Sequence, residues 1–290
     1  MKHVILLTKS YNFKDLEMWI KYYSRLNWCI HLINNESFIY ERFIKITLET
    51  NCGIRPYTYE YLAGWANQWQ LFSDILNTNK YNFNKDDIIA FLDDDEFLWS
   101  QEEYQYRAEH YTEYNIPNIF EESILKYHDE YKINNVLVPQ ILMSQPECLN
   151  YRGNESYINT HFYRRDDKSA QGKSIIVYDP NCKYSFTDPD KKEDGHSPLI
   201  DNDRTSIVIY KSKVGISHTT YGESEYDSPI RLYHYHIKSQ KDWFQKYKRG
   251  SAAVDHQWYD ADTSKNKYYG NYNILDFTML NTLKLLNIHE

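Results

Sequence analysis

Short apolar runs alternate with amphipathic stretches through the first hundred residues. The apolar runs are typical of buried strands and lie at residues 4–8, 28–33, 53–59 and 87–92. Between them, apolar residues recur at helical spacing over residues 16–26, 38–48 and 65–76. Alternation of this kind predicts an α/β fold whose strands are parallel and joined by right-handed helical crossovers.

The second half of the chain is less regular. A helix is predicted over residues 119–131 and a strand over 135–138, followed by strands at 158–163, 174–178, 206–210 and 230–237. A polar stretch at 187–204 predicts a long loop, which is either a functional lid or a surface insertion. Two closing helices are predicted over residues 240–253 and 274–286.

The apolar run at 88–92 ends abruptly in four acidic residues at 93–96. Adjacent carboxylates repel one another, so a folded chain places them on a solvated loop or around a cation. A buried strand before them predicts that they reach the carboxyl edge of the sheet, where a divalent ion can collect them. In extended geometry Asp93 and Asp95 point the same way and can share that cation, whereas Asp94 faces away. The alternative is that the acids cap a helix N-terminus.

Other polar residues are predicted at the same edge of the sheet. Ligands of open α/β sheets bind outside the carboxyl ends of the strands. Thr8 and Lys9 follow the first predicted strand, and Asn35 follows the second. These three residues are therefore expected close to the acidic run.

A late strand supplies the histidine and lysine that would complement the acids. His234 lies in the strand predicted at 230–237, and Lys238 follows it. If this strand returns beside Asp95, His234 can complete the coordination of a metal and Lys238 can neutralise a bound phosphate. Arg249 adds positive charge on the following helix. The alternative is a solvent-facing strand followed by a basic helix face.

Composition disfavours several classes of ligand and site. The net charge of −8 at pH 7 disfavours nucleic acid, because phosphate neutralisation needs a basic surface. The four cysteines are far apart and show no Cys-x-x-Cys spacing, which disfavours a thiol-rich zinc site. No run approaches 18 consecutive apolar residues and no signal peptide is visible, so we expect a cytoplasmic protein without a membrane-spanning segment.

Taken in order, several of these segments resemble a known enzyme group. The resemblance spans residues 3–252 and is to the glycosyltransferases of family 92 and the related family-2-like type. It is carried by EMWIKYY at 17–23, NNES at 34–37, AFLDDDEF at 90–97, KSII at 173–176, HSP at 196–198, HY at 234–235, KS at 238–239 and RG at 249–250. The first strand–helix turn departs from the pattern, since it reads Thr8-Lys9-Ser10 where the family usually has Arg-Asn-Glu.

The resemblance implies a GT-A fold, which has a mixed, mainly parallel central sheet flanked by helices. Residues 1–100 would bind the nucleotide sugar, and residues 101–252 would form the acceptor half. Residues 253–290 lie outside the resemblance and are expected to form a C-terminal helical extension. The implied reaction moves a sugar from a nucleotide-diphosphate donor, expected to be UDP-linked, to a hydroxyl of a glycan or glycolipid acceptor. An inverting course is expected, in a bacterial or virus-encoded protein.

Residue roles follow from the same resemblance. Mn²⁺ or Mg²⁺ would be held by Asp93, Asp95 and His234, and would stabilise the leaving diphosphate. The donor would also contact the side chains of Thr8, Lys9, Asn35, Lys238 and Arg249. An inverting reaction needs a base for the acceptor proton, and the long loop supplies the candidates Asp190, Asp194 and His196.

Two rival functions remain open at this point. One is a different metal-dependent enzyme that processes nucleotides, although such enzymes usually carry a phosphate loop or an amino-terminal Asp-x-Asp, and neither is present. The other is a non-catalytic module that binds a sugar nucleotide or a glycan. The acids together with His234 and Lys238 favour the enzyme.

Overall fold

A computed structural model describes eleven stretches of the chain, and every structural statement below concerns them alone. They are residues 1–8, 13–35, 57–62, 68–110, 117–144, 163–165, 172–186, 197–210, 213–217, 228–235 and 272–288. The helices predicted at 38–48 and 240–253 lie outside these residues, as does most of the predicted loop at 187–204.

The first hundred residues build the parallel part of a large mixed sheet. Its strands are β1 (Lys2–Thr8), β2 (Cys29–Asn34), β3 (Tyr57–Tyr61) and β4 (Ile88–Phe91). They lie in the order β3-β2-β1-β4, and each neighbouring pair is parallel. Helix α1 (Phe13–Arg25) and helix α2 (Gln68–Asn77) confirm two of the predicted helices. The α/β prediction is confirmed for this half.

The second half adds strands of both directions and three further helices. Its elements are β5 (Glu96–Ser100), α3 (Gln101–Glu109), α4 (Ile119–Tyr131), β6 (Asn135–Ser144), β7 (Tyr163–Arg165), β8 (Gly172–Val177), β9 (Tyr184–Ser185), β10 (Leu199–Ile200), β11 (Ser206–Tyr210), β12 (Lys213–Ser217), β13 (Ile230–His234), β14 (Tyr272–Leu275) and α5 (Thr278–Leu285). The sheet continues from β4 through β8, β6 and β11 to β12. Strand β8 runs antiparallel to both β4 and β6, so the parallel order ends at β4.

Strand β13 lies off the main strand order of the sheet and pairs with the strand that follows the acidic run. It pairs in parallel with β6 and antiparallel with β5. Since β5 directly follows the acidic run, this pairing brings the late strand beside the acids. In the described part of the chain, no helix combines the length and apolar character needed to cross a membrane.

The predictions for the second half are confirmed in part. The helix at 119–131 and the strand at 206–210 have the predicted bounds. The closing helix begins at Thr278 instead of residue 274, because Tyr272–Leu275 pairs with β7 as a strand. The last residues of the predicted loop are structured as well, since Leu199–Ile200 pairs with β9. Strand β12 was not predicted.

The central strands β1, β2 and β4 are buried on both faces of the sheet. Successive residues of β1 alternate between two core clusters, with Val4 and Leu6 packed on the α1 side and Ile5 and Leu7 on the α2 side. Helix α5 adds Met279 to the cluster on the α1 side. Strands covered on both faces are expected to read as continuous apolar runs, which is why the sequence pattern located β1, β2 and β4.

Asp87, which immediately precedes β4, predicts a specific acid sensitivity. Its carboxylate accepts hydrogen bonds from the α-amino group of Met1 at 2.8 Å and from the backbone N–H of Asn84 at 2.8 Å, and lies 3.2 Å from Nε2 of His3. Burial alone raises the pKa of Asp87, but these contacts lower it to about 2. A carboxyl group whose pKa is lower in the folded than in the unfolded protein stabilises the fold at pH values above its unfolded-state pKa. This stability is lost as the pH falls toward 2.

We therefore expect Asp87→Asn to reduce stability at neutral pH and to flatten the loss of stability between pH 4 and pH 2. Urea-unfolding midpoints measured across that range would show the change in slope. Asp129→Asn, at an exposed position on α4, is the matched control and should leave the slope as it is in the wild type. Equal slopes for Asp87→Asn and wild type would contradict the assignment.

Candidate active site

The strand order has a topological switch point between β1 and β4. From β1 the chain continues to β2 on one side, whereas β4 pairs with β1 on the other side. In open α/β sheets, ligands bind at this switch point, outside the carboxyl ends of the strands. Thr8 ends β1, and its carbonyl accepts a hydrogen bond from the backbone N–H of Asn35 at 3.0 Å. Thr8 and Asn35 therefore lie at the predicted edge.

The acidic run lies at the same edge, but it forms a turn. The backbone N–H of Glu96 donates to the carbonyl of Asp93 at 3.1 Å, and the backbone N–H of Asp93 donates to Oε2 of Glu96 at 2.8 Å. The extended geometry predicted for Asp93 and Asp95 is therefore wrong. Glu96 is buried at the start of β5 and does not cap a helix, since Ser100 is the N-cap of α3.

Lys173 of β8 joins two of the four acids. Its Nζ lies 2.9 Å from Oδ2 of Asp93 and 2.6 Å from Oε2 of Glu96. Burial by itself lowers the pKa of Lys173, but the charges of Asp93 and Glu96 raise it above its ordinary value, so the ammonium group stays charged. Burial raises the pKa of Glu96, although the charge of Lys173 opposes this. The carboxylates are thus held by an internal counter-ion.

Gly172 allows β8 to approach β6 closely just before Lys173. A Cβ at residue 172 would lie 2.5 Å from the carbonyl oxygen of Val138, which is closer than real Cβ atoms approach a backbone atom. Glycine is therefore required at this position by the spacing of the two strands. The close pairing fixes the backbone from which Lys173 reaches the acids.

His234 lies beside the acids, as predicted from the sequence. In the β5–β13 ladder it is opposite Glu96, and the backbone N–H of Tyr235 donates to the carbonyl of Asp95 at 2.8 Å. Nε2 of His234 lies 3.4 Å from Oδ1 of Asp95. On the other side of the ring, Nδ1 is hydrogen-bonded to the carboxamide of Gln140 and lies 3.9 Å from Oε1 of Glu96.

The Asp95–His234 pair has the separation of two neighbouring ligands of one cation. Carboxylate oxygens and imidazole nitrogens bind divalent ions at about 2.0–2.2 Å, so two ligands on one ion lie roughly 3 Å apart. The described residues contain no group of three or more His, Cys, Asp or Glu side chains arranged to hold a metal. Two protein ligands still fit Mg²⁺-type sites, where water and substrate phosphates complete the coordination.

Asn35 has a buried side chain at the end of β2. Its relative exposure is 5%, and neither atom of its carboxamide has a hydrogen-bond partner within the described residues. Buried polar groups are normally satisfied, so this carboxamide is suited to pair with a ligand. It offers one acceptor and one donor group next to each other, which matches the edge of a nucleobase.

The remaining predicted site residues lie outside the described stretches. They are Lys9, Asp190, Asp194, His196, Lys238 and Arg249. The chain re-enters the described part at Ser197, whose hydroxyl accepts hydrogen bonds from Asn135 and Ser174, both at 2.8 Å. Residue 197 is therefore anchored to β8 at the residue next to Lys173.

Lys173 and Gln140 are site residues that were not among the candidates predicted from the sequence. A usable signal was present for Lys173, because a lysine inside an otherwise apolar buried strand must find a counter-charge. No comparable signal marks Gln140, whose partner lies far along the chain in another strand.

Comparison with known proteins identifies no family. The sequence matches no protein-family model, and no curated protein is similar enough to count as a relative.

Proposed function

We propose that the chain is a metal-dependent glycosyltransferase with a GT-A fold. The observation that carries this proposal is the Asp95–His234 pair, with 3.4 Å between Oδ1 and Nε2, at the switch point of a sheet with parallel order β3-β2-β1-β4. Nucleotide-binding α/β folds share this strand order and bind their ligands at this edge. The sequence resemblance supplies the reaction class.

In this proposal Asp95 and His234 hold Mn²⁺ or Mg²⁺, and Asp93 contributes to the cation or to the donor. The ion would stabilise the negative charge that accumulates on the departing nucleoside diphosphate. Lys173 fixes the carboxylate of Asp93 and keeps Glu96 in place, so the turn does not depend on the cation for its geometry. Lys238 and Arg249 stay proposed contacts of the diphosphate.

The nucleoside is proposed to lie over the ends of β1 and β2. There the buried carboxamide of Asn35 would pair with the base, expected to be uracil, beside Thr8 and Lys9. Because an imide edge offers a donor between two acceptors, an amide can satisfy it with two hydrogen bonds.

Transfer requires a base for the acceptor hydroxyl. In the proposed inverting reaction, the acceptor oxygen bonds to the anomeric carbon as the bond to the diphosphate breaks, and the base takes the hydroxyl proton. Asp190, Asp194 and His196 stay the candidates for this role. The hydrogen bond between Ser174 and Ser197 supports His196, because Ser197 directly follows residue 196 and Ser174 lies on the strand that carries Lys173.

Thermal unfolding in the presence of UDP and Mn²⁺ tests the proposal directly. At a hundredfold excess of ligand over its Kd, stabilisation of about 2.7 kcal/mol is expected, which corresponds to a rise in Tm of several degrees. UDP with EDTA should give little or no rise, and Asp95→Ala should lose the metal-dependent part.

Three results would count against the proposal in different ways. If no nucleotide stabilises the protein with or without metal, the transferase function fails. If UDP binding survives Asp95→Ala unchanged, the metal role of the acids is wrong. If UDP and Mn²⁺ bind but no donor in a panel of nucleotide sugars is hydrolysed or transferred, the chain is a non-catalytic sugar-nucleotide module.

A further inference from the structure

Gln140 contacts the side of the His234 ring that faces away from Asp95. Gln140 lies on β6, where it pairs with Leu232 of β13, two residues before His234. It is therefore diagonally across the ladder from His234, within reach of a long side chain. Its relative exposure is 5%, and its carboxamide is hydrogen-bonded to Nδ1 of the imidazole. Oε1 of Glu96, at 3.9 Å, is beyond hydrogen-bond distance of the same atom.

Each ring nitrogen of His234 requires a different partner in the metal-free and in the metal-bound protein. A neutral imidazole carries its proton on one nitrogen and a lone pair on the other. Without a cation, an Nε2–H directed at the Asp95 carboxylate is favourable, and Nδ1 then needs a donor. With a cation bound, Nε2 must present its lone pair, so Nδ1 carries the proton and needs an acceptor.

A carboxamide meets both requirements from one position. The amide group of Gln140 can donate to Nδ1, and a half-turn about the terminal side-chain bond presents its carbonyl oxygen to the same atom. An alcohol could also do both, but the diagonal position on β6 needs a side chain long enough to reach across the ladder. A glutamate could only accept while ionised, and an aliphatic residue could do neither.

We propose that Gln140 is a positioning residue that supports both tautomers of His234 and reverses its amide when a divalent cation binds. The inference rests on the proposed function, since it assumes that Asp95 and His234 hold that cation. Gln140 is not assigned a role in the reaction itself. Its contribution is to make the lone pair of Nε2 available without leaving Nδ1 unsatisfied in a buried site.

Titration of the full chain with Mn²⁺, followed by electron paramagnetic resonance of the free ion, is the first test. Gln140→Leu should weaken Mn²⁺ binding by about 10–100-fold, which is the usual effect of losing a residue that orients a metal ligand. Gln140→Glu should bind Mn²⁺ at least as tightly as wild type, because its carboxylate accepts from Nδ1–H. Asn135→Leu removes another buried amide of β6, bonded to Ser197, and should leave Mn²⁺ affinity unchanged.

The ring ¹⁵N chemical shifts of His234 provide a readout that a purely structural role would not move. The wild type should show the Nε2–H tautomer without metal and the Nδ1–H tautomer when saturated with Mg²⁺. Gln140→Glu should keep a proton on Nδ1 in both conditions, because its carboxylate accepts from that nitrogen.

The outcomes separate this inference from the proposed function. If wild type binds Mn²⁺ and Gln140→Leu binds it equally well with unchanged tautomers, the role of Gln140 is overturned and the transferase proposal stands. If wild type binds no Mn²⁺, both are overturned. If Gln140→Leu loses affinity as expected but no sugar is transferred from any donor, the inference stands and the transferase proposal fails.

Discussion

Replacing Lys173 with methionine is expected to lower the free energy of unfolding by about 3–5 kcal/mol, the usual cost of removing one partner from a buried ion pair. Methionine keeps the length and apolar stem of the side chain, so the change removes chiefly the charge. Glu96 is 1% exposed and would be left buried with its main counter-ion gone. Asp93, which is more exposed, can regain water and should contribute less to the loss.

The pH dependence of this variant has a definite sign. Burial raises the pKa of Glu96, and removal of Lys173 raises it further because the opposing charge is gone. A carboxyl group whose folded-state pKa lies above its unfolded value binds its proton more tightly in the folded protein. Folding is therefore favoured as the pH falls through that raised pKa, and the deficit of Lys173→Met should shrink in acid.

Urea unfolding of Lys173→Met at pH 7 and pH 5 measures both effects. Lys126→Met, at an exposed position on α4, is the control and should change stability by less than about 0.5 kcal/mol. Adding Glu96→Gln to Lys173→Met should recover part of the loss, because a neutral amide is far less costly to bury than an unpaired carboxylate. A loss that is small and independent of pH would show that Lys173 is not the counter-ion of Glu96.

The local pattern was sufficient to predict the parallel half of the fold. Strands β1, β2 and β4 are buried on both faces, so their apolar runs are continuous, and α1 has a clear amphipathic period. Because parallel strands end on the same side of a sheet, Thr8, Asn35 and the acids could also be predicted to lie at one edge.

Helix α3 shows where periodicity gives too little information. Its sequence is mostly polar and has no strong apolar face, so no helix was predicted. A different signal was available, because Ser100 and Glu103 match the Ser-x-x-Glu capping pattern. The backbone N–H of Glu103 does donate to the Ser100 hydroxyl, at 3.4 Å.

The internal arrangement of the site depends on tertiary contacts that no local pattern contains. Lys173 reaches Asp93 across 80 positions of sequence, and Gln140 reaches His234 across 94. The turn at 93–96 likewise follows from the Glu96 carboxylate, which binds the backbone N–H of Asp93 and excludes the extended geometry. Strand order could be predicted to bring the acids and His234 to one place, but the assignment of each carboxylate to a partner could not.

The contacts of the four acids now separate their roles. Lys173 compensates Asp93 and Glu96, whereas the Asp95 carboxylate faces the imidazole of His234. A divalent cation proposed at Asp95 would therefore bind the carboxylate that already faces a second possible ligand, the imidazole of His234. This makes Asp95 the acid whose loss should affect chemistry more than stability.

We accordingly expect Asp95→Asn to lower kcat for sugar transfer by about 10²–10³-fold, the scale of losing one group that stabilises transition-state charge. The carbonyl of Asp95 accepts from the backbone N–H of Tyr235, and this bond does not involve the side chain, so the turn should stay in place. Asparagine is also nearly the same size as aspartate. Its neutral amide oxygen is a weaker ligand for Mn²⁺, so the loss should be largest at low Mn²⁺ and should be reduced when Mn²⁺ is raised.

Rates measured over a Mn²⁺ series with a nucleotide-sugar donor, together with Tm, distinguish the loss of a metal ligand in Asp95→Asn from a folding defect. Asp94→Asn changes the neighbouring acid of the same turn and should keep a rate within a few-fold of wild type. An Asp95→Asn enzyme that matches wild type at low Mn²⁺ would remove Asp95 from the metal site. Equal losses in both variants would instead mean that the turn acts through its total charge, because each substitution removes one carboxylate from it.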